Sequence, residues 1–330
     1  MDINWDLRNL KPNRKAIITV GTFDGIHIGH QALIQKVIEK ANRCDGRSTL
    51  VTFSPHPKLV VGRKNAEAIK LLSTIDEKIA FLEQIGLDQL IIIKFTESFS
   101  KISSTDFIEK ILIKRIGFQE IVIGHDHAFG KDRQGRYVLL KQLASKYQYR
   151  IELVDAVCVD GEIVSSTLLR NLLAAGSLEK ANRFLGRPYS IVGRVVKGDG
   201  RGRYLNFPTA NIQPLSVNKL IPRDGVYAVG VALANLSFIG AMSIGVRPTF
   251  SSSNRTLEIH LLDFNGDLYG ENLVISFLKR LRDEIKFDST DELIHQMELD
   301  VSQVASEFGC QAFRYHQKSE DKYLENEIIL

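Results

Sequence analysis

The stretch that most constrains this chain is residues 17–30, where an apolar, β-branched run meets a glycine-bearing turn and then a helical pattern begins. The run 16–20 reads as a buried strand bounded by Gly21. From Gln31 onward, Leu33, Ile34, Val37, Ile38 and Ala41 recur at helical spacing. Between them lie Gly21, Gly25 and Gly29, with His27 and His30 where the helix begins. Glycines in a strand-to-helix turn let backbone approach a phosphate, and the helix start offers N–H groups and the positive end of the dipole. Residues three apart in the first turn share a face, so both histidines can point at that phosphate.

Other chemistries fit this turn less well. It has neither the Walker spacing nor the G-x-G-x-x-G of dinucleotide sites. Its glycines four apart mimic a membrane dimerisation motif, but Asp24 and two histidines rule out a membrane span. A two-histidine zinc site has no nearby cysteine to complete it. Two solvated loop histidines are the bland alternative, and the register of strand, glycines and helix favours the phosphate.

Strand-like and helix-like runs alternate through the first half. Strands are expected at 48–53, 90–93, 121–123 and 151–154, and a helix over 74–85 opens with the capping box Thr74-x-x-Glu77 and stops at Gly86. This alternation predicts an α/β domain, a doubly wound parallel sheet with helices on both faces and ligands beyond the carboxyl ends of the strands. Three segments follow strands directly. In Ser54-Pro55-His56-Pro57 the prolines hold His56 in a defined direction. In 124–130, His125 and His127 share a side that Asp126 does not, which argues against a metal cluster. In 164–170, after a tight turn at Asp160-Gly161, hydroxyls stand where a helix from 167 to about 176 begins, the place of ordinary caps.

The pattern changes after a short helix at 177–185 and the break Gly186-Arg187-Pro188. Strands are expected at 189–196, 226–233, 238–244, 257–262 and 273–278, then a helix over 291–307, which predicts a small β-barrel carrying a helix. The expected domains are therefore 1–185 and 186–308, with a tail at 309–330. In an extended chain Thr209 and Asn211 present two oxygens together, a donor type that suits Mg²⁺. Leu257, Ile259 and Leu261 alternate with Glu258 and His260, and by itself Glu258 is a solvated strand carboxylate.

Gly-Thr-Phe-Asp-Gly-Ile-His-Ile-Gly-His (21–30) resembles the motif of the HxGH nucleotidyltransferases, and in particular the adenylyltransferase half of bacterial riboflavin kinase/FMN adenylyltransferases. The resemblance implies that Gly21, Thr22, Phe23, Asp24, Gly25 and Gly29 bind the nucleotide, while His27 and His30 donate to the triphosphate as charge builds up. It sets His56 beside the flavin and nucleotide. It makes Asp126, Phe129 and Arg133, within a G-x-D-F-R-F-G-x-x-R-x-G-like segment, line the substrate pocket. Ser165, Ser166 and Thr167 become an S-S-T-x-I-R-like element over the ATP phosphates, with Arg170 as a clamp. Phe207-Pro208-Thr209-Ala210-Asn211 is similar to the riboflavin kinase motif, which implies Mg²⁺ at Thr209 and Asn211. The E-x-H strand implies Glu258 as the base for the ribityl 5′-hydroxyl. Segments 243–250 and 281–287 match further kinase motifs.

The expected activity is thus ATP-dependent phosphorylation of riboflavin to FMN, then adenylylation of FMN to FAD with release of pyrophosphate. Departures from the family pattern at Ala128, Leu168, Asn206 and Ser243 keep open a chain with only one activity, and a different HxGH nucleotidyltransferase is the other alternative. A non-catalytic flavin- or RNA-binding protein is permitted by the charge alone. Composition bounds the rest. The net charge of +4 has no basic block behind it, so nucleic acid is not an expected partner. No membrane run and no signal peptide is visible, and Cys44, Cys158 and Cys310 are few and odd in number, which points to the cytoplasm. Homo-oligomerisation stays open.

Overall fold

The computed structural model describes residues 1–62, 69–124, 137–198, 207–249 and 252–309. By its internal packing the chain divides into two units, Met1–Ser166 and Thr167–Leu330.

The first unit is built on six parallel strands: β1 (Asp2–Asn4), β2 (Ala16–Val20), β3 (Arg47–Ser54), β4 (Gln89–Lys94), β5 (Glu120–Gly124) and β6 (Arg150–Val154). Their spatial order is β1-β4-β3-β2-β5-β6, every neighbouring pair parallel. The order reverses between β2 and β5, which makes their carboxyl ends the topological switch point where α/β sheets hold ligands. Period-two alternation divides the core into two layers. Ile17 of β2 faces α1 (Ile28–Arg43) and α2 (Ile75–Gln84) through Leu33, Ile34, Val37 and Leu82. Ala16, Ile18 and Val20 face the π-type helix α3 (Phe107–Ile116) and α4 (Tyr137–Tyr147) through Phe107, Leu112 and Leu140. The doubly wound expectation holds, and β2 starts and ends where the sequence pattern puts it. A two-stranded hairpin, β7 (Cys158–Val159) with β8 (Glu162–Ile163), turns at Asp160 and Gly161, both in the left-handed region.

The second unit begins with α5 (Ser166–Ala175) and α6 (Leu178–Leu185) and continues as a closed antiparallel barrel. Its strands are β9 (Tyr189–Val196), β10 (Ala210–Pro214), β11 (Gly225–Leu233), β12 (Leu236–Thr249), β13 (Ser252–Leu261) and β14 (Asn272–Arg282). They close in the order β10-β13-β12-β11-β14-β9. The inner face pairs apolar residues across strands: Met242 with Ile259, Ile244 with Leu257, Ile275 with Ile191 and Phe277 with Tyr189. Closure removes every free strand edge.

The sequence pattern breaks at Gly186, yet the two helices before it pack with the barrel. Asn182 donates to the Phe277 carbonyl at 2.9 Å and accepts from the Tyr189 N–H at 2.7 Å. The Arg223 N–H donates to the Leu173 carbonyl at 3.0 Å. Packing divides the chain at 166/167 because α6 packs on β9 and β14 and α5 on the segment before β11, whereas the sequence reports only where helical periodicity stops. Helix α7 (Thr290–Phe308) is tied to β14 by an ion pair between Arg282 and the buried Asp300, at 2.6 Å, with Gln296 also donating to Asp300.

Candidate active sites

In the first unit the turn after β2 is held in an uncommon shape. Phe23 and Ile26 have φ of 46° and 37°, and Gly25 has φ of 85°. Non-glycine residues in that region persist only where neighbours hold them there. Four of the hydrogen bonds that hold it involve one segment, 72–78. The buried Asp24 carboxylate accepts from the N–H groups of Leu72 (3.0 Å) and Ser73 (3.0 Å). The Gly25 N–H donates to Ser73 Oγ at 2.9 Å. Lys78, 5% exposed, donates from Nζ to the Thr22 carbonyl at 2.6 Å.

The two histidines meet at the start of α1. His27 is its N-cap, with Nδ1 accepting from the His30 N–H at 3.3 Å. In a neutral ring this acceptor role leaves the proton on Nε2, the opposite side of the imidazole. The rings stack, with centroids 3.7 Å apart, and His30 also meets Phe23 edge-on at 5.1 Å. A Cβ at Gly29 would come within 3.2 Å of His27 Nδ1, so the glycine leaves room for the ring. Ser166 Oγ donates to the Asp24 carbonyl at 2.9 Å, which brings the Ser165-Ser166 segment to the same turn. Gly21 sits against the Phe23 ring, and Thr22 is half-buried. His56 caps the short helix Pro57–Val60 through Nδ1, which accepts from the Lys58 N–H at 3.1 Å. Thr167 and Arg170 belong to α5 in the second unit, Thr167 exposed and Arg170 half-buried. Asp126, Phe129 and Arg133, with Ala128 and Asn206, lie outside the described residues.

The second unit gathers its oxygens on the outside of the barrel. Strand alternation turns Leu257, Ile259 and Leu261 inward and Glu258 and His260 outward. Asn211 of β10 stands opposite Glu258 of β13, and Ser243 of β12 flanks Glu258 on the other side. Thr209 Oγ1 donates to Glu258 Oε2 at 3.3 Å. The His260 ring lies 2.9 Å from the Pro208 carbonyl through Nδ1 and edge-on to Phe207 at 5.4 Å, which steadies the segment before Thr209. Glu284, part of the kinase-like segment 281–287 to which the sequence assigns no catalytic role, joins this row through Ser243. Burial and Asp224 raise its carboxyl above the usual range, while the Val246 N–H, Arg282 and Ser243 pull it back. A three-oxygen cluster of hydroxyl, amide and carboxylate can hold a hard cation and accept a proton.

Two kinds of architecture thus define the class: an α/β unit with a pinned, histidine-bearing turn after its second strand, and an antiparallel barrel with an oxygen-rich outer row. The family model for FAD synthetase matches residues 9–168, and that for riboflavin kinase matches residues 185–308. The chain is 37% identical over 309 residues to the bifunctional riboflavin kinase/FMN adenylyltransferase of Buchnera aphidicola subsp. Schizaphis graminum, covering 92% of this chain and 97% of the relative. It is 35% identical to the protein of the same name from Escherichia coli K12, over 90% of this chain and 94% of that one. A crystal structure described as a macrolide-efflux protein from Streptococcus pneumoniae superposes with a TM-score of 0.83 at 28% identity, covering 92% of this chain and 97% of the other. Among the described residues no helix is long and apolar enough to cross a membrane. The chain belongs to the bifunctional riboflavin kinase/FMN adenylyltransferase family.

Proposed function

We propose that this chain makes FMN from riboflavin in its second unit and FAD from FMN in its first, with ATP as co-substrate of both steps. The observation that carries the reading is the coexistence of the stacked His27–His30 pair at a pinned turn with the Thr209–Asn211–Glu258 row on a closed barrel. The functional domains proposed are 1–185 and 186–308, so the first takes in residues 167–185, which by packing belong to the second unit.

In adenylyl transfer a phosphate oxygen of FMN attacks the α-phosphorus of ATP, the bond from that phosphorus to the bridging oxygen breaks, and pyrophosphate leaves. Such chemistry needs positioning and charge stabilisation more than a covalent nucleophile. We assign Nε2–H of His27 and the His30 ring to the triphosphate, with Gly21, Thr22, Phe23, Gly25 and Gly29 shaping the turn. Asp24 acts through its hold on the 72–73 backbone. Ser165, Ser166, Thr167 and Arg170 are assigned to the nucleotide, Arg170 lying one helical turn from Ser166 on α5. His56, Asp126, Phe129 and Arg133 are assigned to the flavin side.

In the kinase step Glu258 accepts the proton of the riboflavin 5′-hydroxyl as its oxygen attacks the γ-phosphorus and ADP leaves. The oxygens of Thr209 and Asn211 fit Mg²⁺, which prefers hard donors and few protein ligands. When bound, the ion would neutralise phosphate charge. The few, odd-numbered cysteines suit work in the cytoplasm.

The test is to incubate the purified protein with riboflavin, ATP and Mg²⁺ and to resolve the flavins by chromatography over time. FMN first and FAD after it is the expected result. Unchanged riboflavin, together with unchanged FMN when FMN is supplied directly, would overturn the reading.

A further inference from the structure

Lys78 is a buried cation that no motif explains. It follows the capping box of α2, in which Thr74 accepts from the Glu77 N–H and the Glu77 carboxylate accepts from the Thr74 N–H, so its place on the first turn is fixed. Its ammonium donates to the Thr22 carbonyl at 2.6 Å and lies 3.3 Å from Thr52 Oγ1, while that hydroxyl also donates to the Thr22 carbonyl at 3.3 Å. Lys78 therefore joins the end of β3 to the first peptide of the turn after β2. Burial pushes the ammonium down to about 8, with Asp24 drawing it back up. A buried charge of this kind is an expense in stability that a well-packed apolar side chain would avoid.

The peptide geometry gives that expense a purpose. In a trans peptide the carbonyl and the following N–H point in opposite directions. With the Thr22 carbonyl aimed inward at Lys78, the Phe23 N–H is aimed away from the buried side. The same segment holds Asp24 and Gly25 through Leu72 and Ser73. One stretch, 72–78, thus holds Thr22, Asp24 and Gly25, on both sides of Phe23, and only Lys78 brings a positive charge to the task.

We propose that Lys78 is a positioning residue of the adenylyl-transfer site: from beneath the turn it fixes the Thr22–Phe23 peptide so that the Phe23 N–H faces the ATP phosphates, and it adds a positive charge behind them. This rests on reading residues 21–30 as the phosphate turn. A structural lysine and a phosphate-positioning lysine differ in which substrate notices its loss. The peptide and the charge act on ATP and pyrophosphate.

The test uses the full chain carrying Lys78→Met, which keeps the length of the side chain and removes donor and charge. FAD synthesis from FMN should show KM for ATP and the inhibition constant of pyrophosphate raised about tenfold, the scale of a lost charge-assisted hydrogen bond. KM for FMN should stay within about twofold, and riboflavin phosphorylation by the same preparation should be unchanged. An unchanged KM for ATP, or equal rises for ATP and FMN, would overturn the proposal. Should Lys78→Met fail to fold, Thr52→Val decides. It removes the hydroxyl shared with the Thr22 carbonyl and keeps the charge, so a KM for ATP raised about two- to fivefold supports the proposal and an unchanged one ends it. If the wild-type chain forms no FAD at all, the reading of the turn fails and this inference falls with it.

Discussion

Gly198→Ala tests the kinase row without replacing any residue assigned to its chemistry. A Cβ built at position 198 would stand 2.5 Å from Asn211 Cγ, with the amide nitrogen nearer still. Ordinary carbon contact begins near 3.5 Å, so the Asn211 side chain must swing by roughly 1 Å. The obstacle is the far end of a flexible side chain, and the fold gives way cheaply, at about 0.5–1.5 kcal/mol for an off-rotamer amide. A displacement of about 1 Å in a positioning group costs up to about 100-fold in rate. Riboflavin phosphorylation, followed at several Mg²⁺ concentrations, should lose about 10- to 100-fold in kcat/KM and require more Mg²⁺. FAD formation from FMN should be unaffected and the melting temperature should move by no more than a few degrees. Normal kinase activity with normal Mg²⁺ dependence would refute the placement of Asn211 in that site.

Glu258→Gln keeps the shape of the row but removes its base, so FMN formation should fall by about 100-fold or more while FAD formation from supplied FMN persists; parallel loss of both would contradict separate sites. His30→Ala should do the reverse, abolishing most FAD formation and sparing riboflavin phosphorylation, as a flavin time course would show. Asp300→Ala leaves Arg282 half of a buried pair and should cost about 3–5 kcal/mol by denaturant unfolding of the second unit; a loss under 1 kcal/mol would mean the pair is solvated. Lys78 also makes a pH prediction. Its folded pKa of about 8 lies below the ordinary 10.5, so the unfolded chain binds more protons between those values and stability rises with pH there. From pH 7.5 to 9.5 the wild type should gain on the order of 2 kcal/mol relative to Lys78→Met, and identical pH profiles in calorimetry would refute it.

What the sequence made legible was periodic or local. The β2 run, the capping box at Thr74 and Glu77, and the alternation around Glu258 each reappear in the structure because a strand or helix pattern is written in neighbours. What it hid was partnership across distance. Resemblance made Asp24 a nucleotide residue, but its carboxylate meets Leu72 and Ser73, 48 and 49 residues away. Lys78 reads as one more lysine on an amphipathic helix until Thr22 is found beneath it. The edge strand β1 has three residues, too few to show alternation, and β10 passes for an extended loop until its pairing with β9 and β13 is seen. Helix periodicity could not tell that α6 packs on barrel strands and α5 on the segment that enters β11.

The closure of the barrel sets an order on synthesis. Strand β9 emerges from the ribosome first among the six, but its partners are β10 and β14, and β14 is the last strand made. The cylinder cannot shut until about residue 282 is out, and pairings of such wide sequence separation form slowly. The parallel sheet of the first unit needs nothing beyond β6, which ends at Val154, and the turn is fastened by Ser166 soon after. The adenylyl-transfer half is therefore able to fold while the kinase half is still being translated, leaving β9 with an unpaired edge for the chaperones of the cell to guard.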